Sequence, residues 1–246
     1  MNRYKASFIH FLCSAVVLAA VFLLVRLIWY PGGLFEGASG TDLLVILVAV
    51  DVVLGPIITL VIFNPKKASL KFDMAVVVLC QISFMLYGVW AIFSARPVYV
   101  AFVANNFYMV TANEIDPEDQ KKVENQLFQS LPVLGPEFVG TRTPTDPNVI
   151  RSIIAVTPHG MGLQNLPQYF VPYAEAAPNV RTAGRTIREL AERATTFQKE
   201  ELDKLVAYES KKRGEGKTVL FIPLLNKRKV LTVAIDGITG TVLDIL

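Results

Sequence analysis

Arg26 and Asp51 are the residues of this chain whose type and setting point most directly to chemistry. Each puts a charge inside a long apolar run, and an ionisable group in hydrocarbon costs on the order of several kcal/mol unless it is paired or reaches the interface. Arg26 lies near one end of its run, and Asp51 about nine residues into the next run from the same side. At ~1.5 Å per helical residue, an extended guanidinium covers the difference in depth. The spacing therefore predicts an intramembrane Arg26–Asp51 pair, which either locks two helices together or offers a polar contact to a third, visiting helix. Gly55-Pro56 follows Asp51 in the same run. Proline has no N–H and its ring crowds the preceding turn, so the helical ladder is predicted to break there. An acid beside a broken helix also builds ion sites in transporters, but three spans with no inverted repeat argue against that use.

Elsewhere the chemistry-bearing types are sparse. His10 and His159 are the only histidines, and Cys13 and Cys80, both inside apolar runs, are the only cysteines. That inventory excludes a disulfide framework, a cysteine zinc site and a histidine-rich metal centre, and His159 has no acid and serine arranged as a triad. No metal and no cofactor is expected. Gln168-Tyr169-Phe170-Val171-Pro172-Tyr173 is an aromatic cluster that Pro172 keeps out of a regular helix. Tyr169 and Tyr173 either pack the domain on itself or form a partner-binding patch, since tyrosine is favoured at interfaces. Arg181, Arg185 and Arg188 can share a helix face with Glu189 and Glu192 nearby, which reads as a solvated surface.

The elements that must hold these residues begin with a membrane. Of 246 residues, 52% are hydrophobic and only 18% charged, with mean hydropathy +0.44, against about 45–50% and 25% for a soluble domain. The excess sits before Pro97, where the formal charge of +3 also resides; the remainder is neutral, which argues against nucleic-acid binding. Runs 8–29, 43–63 and 74–93 each have membrane-spanning length. Arg3 and Lys5 precede the first run and Lys66, Lys67 and Lys71 separate the second from the third, whereas Tyr30–Thr41 has no Lys or Arg. The positive-inside rule then puts the N-terminus and the 64–72 loop in the cytoplasm and everything after Arg96 outside it, in the periplasm of a bacterium. The expected organisation is a three-helix transmembrane domain, 1–96, followed by a periplasmic domain, 97–246.

Within the second part, 99–103 and 107–110 read as strands joined by a hairpin turn, and Asp116-Pro117-Glu118-Asp119 as a helix start running to about Ser130. Residues 131–147 read as irregular, 148–156 as a helix, 159–162 as a loop and 196–212 as a helix. Stretches 219–225, 230–235 and 242–245 form a terminal antiparallel meander. The fold class expected is three transmembrane α-helices followed by an α+β periplasmic domain with an antiparallel sheet.

Several landmarks, in this order, resemble the TfpX/TfpZ (FimB-like) family of type IV pilin accessory proteins. They are Arg3-Tyr4-Lys5-Ala6, Trp29-Tyr30-Pro31-Gly32, Asp51-Val-Val-Leu-Gly-Pro56, Phe63-Asn64-Pro65, Lys71-Phe72-Asp73, Tyr87-Gly88-Val89-Trp90 and Ala95-Arg96-Pro97. The Tyr169–Tyr173 stretch, Pro223-Leu224 and the turn from Asp236 to Gly240 add to the likeness. The resemblance implies a bacterial inner-membrane protein, not an enzyme, that acts with a cognate major type IV pilin as a chaperone or assembly factor; the membrane bundle offers one surface for the pilin's transmembrane helix and the periplasmic domain another for its head. It also places membrane lipid around the spans. The rival classes are a membrane enzyme that modifies pilin, for which Glu36 and Asp42 are the nearest acids, and an immunity or sensor protein.

Overall fold

The computed structural model describes residues 2–37, 40–156, 162–193, 199–226 and 230–246, and His159 lies outside them. Contacts divide the chain into two units, Met1–Pro31 with Ser39–Arg96, and Gly32–Ala38 with Pro97–Leu246.

The first unit holds three helices long and apolar enough to cross a membrane: Arg3–Trp29, Leu44–Ile62 and Leu70–Ser94. The first and third extend beyond their apolar runs at the ends that carry Arg3, Lys5 and Lys71. The Asn2 side chain accepts from the Lys5 N–H at 2.9 Å. Both predicted polar positions fall in π-helical turns, Val25–Trp29 around Arg26 and Ala49–Leu54 around Asp51. The cause is clear in the second span. Pro56 has no N–H to give the preceding turn, and the Gly55 N–H reaches back to the Val50 carbonyl, one residue further than an α-helix would take it. The break expected at Gly55-Pro56 is thus absorbed as a widened turn, from which Gly55–Ile62 continues as an α-helix. At one end of the bundle the Tyr30 hydroxyl donates to the Ile92 carbonyl at 3.1 Å, and Trp29 lies against Phe93 with ring centroids 5.1 Å apart.

The second unit is built on one seven-stranded sheet of order β4-β3-β1-β2-β5-β6-β7. Its strands are β1 Pro97–Val103, β2 Asn106–Thr111, β3 Glu137–Thr141, β4 Phe170–Pro172, β5 Val219–Leu225, β6 Leu231–Asp236 and β7 Val242–Ile245. The apolar run of β1 is read by alternation onto two faces. Val100 and Phe102 join one buried cluster and Tyr99 and Ala101 another. Helix Tyr173–Ala183 covers the first face with Ala176 and Val180. It comes so close that a Cβ on Gly140 of β3 would run into the Ala176 side chain.

The sheet is mixed, not antiparallel as expected: β1 pairs parallel with β3, and β2 parallel with β5. Strand β3 was hidden in a stretch rich in Pro, Gly and Thr, and it pairs parallel because the chain crosses over through 112–136 before returning to β1. The helix expected from Asp116 to Ser130 is only Pro117–Gln120, followed by a 3-10 turn at Gln126–Phe128. Val123 and Phe128 are buried there and Leu127 is exposed. The arginines also separate. Arg181 donates to the Ile238 carbonyl from the helix Tyr173–Ala183, Arg185 forms a bridge with Phe221, and Arg188 pairs with Glu192 within the next helix.

Residues 32–38 belong to the second unit although they connect the first two spans. Leu34 is fully buried in the cluster of Val100, Phe107 and Ile222. The Gly33 N–H donates to the Ile245 carbonyl at 3.1 Å, and a Cβ on Gly33 would sit 3.0 Å from that same oxygen. Gly32 takes φ +60°, the left-handed turn that glycine allows.

Candidate functional site

Asp51, Gly55 and Pro56 act together in the middle of the helical unit, and what they hold is Gln81. Because the Gly55 N–H bonds to Val50, the Asp51 carbonyl that it would serve in an α-helix is released. Gln81 Nε2 from the third span donates to that carbonyl at 2.7 Å and to Ser14 Oγ of the first span at 3.2 Å. Gly55 makes the approach possible, since a Cβ there would collide with the Gln81 amide. One turn further along, Ser7 Oγ donates to the Pro56 carbonyl at 2.8 Å, and His10 Nδ1 shares a 2.6 Å hydrogen bond with the fully buried Thr59 Oγ1. A polar seam therefore ties the second span to both neighbours, and its members are satisfied by one another as hydrocarbon requires.

The exception is the Asp51 side chain. The residue is 5% exposed, and among the described residues neither carboxyl oxygen has a hydrogen-bond partner; Gln81 Oε1 has none either. The expected Arg26–Asp51 pair is not made. Its absence follows from helix register. Ser7 meets Pro56, His10 meets Thr59, and Gln81 bridges Ser14 and Asp51. Continued along the antiparallel pair, this register puts Asp51 level with Ser14, about 18 Å along the axis from Arg26. Depth counted from the apolar runs missed this because it assumed that both helices start at the same height. Ser7, His10 and Ser14, spaced by three and four, were the signal in the sequence for the face that meets the second span.

Beside Asp51 lies a cavity of about 260 Å³. Span one contributes His10, Cys13, Ser14, Val17 and Leu18, span three Val78, Gln81, Ile82 and Met85, and span two Leu47 and Asp51. Spans one and three each pack against span two and hardly against each other, so the cavity sits between them with span two as its floor.

In the second unit Tyr169 and Tyr173 take different roles. The Tyr173 ring stacks on Phe107 and meets Phe138 edge-on, and its hydroxyl donates to the Gly240 carbonyl at 2.6 Å. Burial holds that hydroxyl well above its ordinary pKa. Tyr169 is half-buried and lines a surface cavity of about 460 Å³ with Glu114, Asp116, Asp119, Lys122 and Gln168. Among the described residues no group of three or more His, Cys, Asp or Glu is arranged to hold a metal.

The chain is similar to the fimbrial assembly protein of serogroup E1 of Dichelobacter nodosus, 23% identical over 228 residues, covering 92% of this chain and 87% of that one. The serogroup I protein of the same organism is 22% identical over an equal span. The protein of serogroups C1 and C2 is 31% identical over 113 residues, 45% of this chain and 86% of that relative. No family model and no solved structure matches.

Proposed function

Since the chain belongs to the family of fimbrial assembly proteins, we propose that it is a non-enzymatic membrane accessory protein that binds a cognate major pilin and holds it ready for assembly into the pilus. A role in pilus biogenesis rests on the relatives. The observation that carries the finer reading is the similarity to fimbrial assembly proteins over 92% of the chain, a stretch that takes in most of both units. The likeness of the ordered landmarks to the TfpX/TfpZ accessory proteins supports the same role. A pilin awaiting assembly presents an apolar helix to the membrane and a globular head outside it, and this chain offers one kind of surface for each. In this reading the protein sits in the inner membrane. Its N-terminus and the lysine-bearing loop Asn64–Ser69 are cytoplasmic by the positive-inside rule, and its sheet domain is periplasmic. The domain boundary falls at Arg96, with 32–38 contributed to the periplasmic side.

Unbiased in-cell crosslinking of the tagged protein, with mass spectrometry of the captured partner, tests the proposal. Capture of the major pilin at unaltered mass, with loss of surface pili in the deletion strain, is the expected result. Normal piliation without the protein would overturn it, and a pilin mass that depends on the gene would replace it with an enzyme.

A further inference from the structure

We infer that the cavity between spans one and three, floored by Asp51, is the socket for the pilin's transmembrane helix. That helix places an apolar side chain in the socket and gives a hydroxyl or amide hydrogen to the Asp51 carboxyl. The inference rests on the proposed pilin-binding role and names its site.

Three observations converge on this arrangement. Asp51 is almost fully buried at the level of Ser14 and Gln81, and among the described residues its two carboxyl oxygens and Gln81 Oε1 make no hydrogen bond of good geometry, with the Gln81 side chain and His10 beside the carboxyl. Buried polar groups are nearly always satisfied, so unpaired acceptors at this depth mark a missing donor. Second, the walls are mostly apolar: Val17, Leu18, Val78, Ile82 and Met85 surround the few polar atoms. That composition suits a side chain from a neighbouring helix rather than a hydrated cation. Third, the size fits. An apolar cavity of ~150 Å³ accepts a benzene ring, so about 260 Å³ takes one large or two small side chains of a helix laid across the opening. The wall residues recur at three and four, 10-13-14-17-18 on one span and 78-81-82-85 on the other. These are the two facing stripes into which a third helix packs.

The chain carries its own probe and control. Both cysteines are exposed, but Cys13 lines the cavity whereas Cys80, on the third span, is not among its lining residues. Full-length protein retaining only one of them, through Cys80→Ser or Cys13→Ser, is produced in pilin-making cells with single cysteines scanned along the pilin's transmembrane helix, and disulfides are formed in isolated membranes. Disulfides from Cys13 to pilin positions three or four apart, at least about tenfold above those from Cys80, are expected. Asp51→Leu should lower the Cys13 yield by about threefold to tenfold, the range of one interhelical hydrogen bond. The Cys13-against-Cys80 pattern in protein with Asp51 intact stands even if that variant folds poorly. Equal yields from both cysteines, or capture of pilin by a general crosslinker with none through Cys13, would overturn the socket and leave pilin binding standing. Capture of no pilin by either route would overturn both.

Discussion

Leu34 offers the sharpest test of how this protein is put together. It sits in the connection between two membrane helices, where a leucine on an exposed loop could be truncated at a cost within about 0.5 kcal/mol. Here it is fully buried among Val100, Phe107 and Ile222. Leu34→Ala removes the packed part of the side chain and leaves a void between sheet and covering helix. Such changes cost about 2–5 kcal/mol, according to how far the surroundings collapse. At a middle value near 3 kcal/mol, and about 2–4 °C per kcal/mol for a unit of this size, the second unit should melt roughly 6–12 °C lower. Full-length protein in nanodiscs, heated while the near-ultraviolet signal of the sheet-domain tyrosines is followed, gives the measurement. Leu127→Ala, at an exposed position, is the reference and should shift the midpoint by no more than about 2 °C. If Leu34→Ala behaves like Leu127→Ala, residues 32–38 do not complete the core and the division of the chain given above is wrong.

Gly55→Ala should loosen the helical unit by about 1–3 kcal/mol, because it displaces the Gln81 amide and orphans the Asp51 carbonyl. The same change on a Gln81→Ala background should cost much less, as a double-mutant cycle in mild detergent would show. Arg26→Ala and Asp51→Ala should be additive in stability to within about 0.5 kcal/mol, since helix register keeps the two residues apart; a coupling above about 1 kcal/mol would restore the ion pair. The Asp236 carboxyl accepts from the Thr239 and Ile238 amides, which hold its pKa below the usual carboxylate value. A lowered folded pKa stabilises above the unfolded value near ~4 and is lost as pH falls through the folded one. Asp236→Ala should therefore be less stable than the parent protein at pH 7, with the gap closing below about pH 4 in urea titrations.

Much of the architecture is legible in the residues because hydrocarbon is an unforgiving solvent. Twenty apolar residues in a row have few alternatives to a span, and Gly55-Pro56 announces its disturbance by covalent structure alone. The terminal strands were readable for a similar reason, since Val219–Leu225 and Leu231–Asp236 are short, almost continuous apolar runs separated in sequence by the polar stretch Asn226-Lys227-Arg228-Lys229. What stayed hidden depends on partners distant in sequence. Strand β3 has no alternation strong enough to declare itself and exists because β1 offers it an edge. The Arg26–Asp51 pairing was a statement about relative height, which the contacts between spans fix, above all the Gln81 bridge from Ser14 to Asp51. Leu34 is one leucine in a glycine-rich connection, and nothing local marks it as core. Tyr173 illustrates the opposite case. Its type allowed packing or recognition, and the structure packs its ring against Phe107 and Phe138 and bonds its hydroxyl to Gly240.

The hydrogen bond from Gly33 to Ile245 carries a consequence for biosynthesis. Two positions more than two hundred residues apart must meet, and everything between them, including two complete membrane crossings, must be made first. Until then β1 and β2 can form a hairpin, but the outer edge of β2 waits for β5, about a hundred residues downstream. An apolar hairpin with open edges recruits other chains, and contacts this distant in sequence close slowly. The nascent chain therefore passes through an interval in which its own sheet presents unpaired, apolar edges that its later strands have yet to cover.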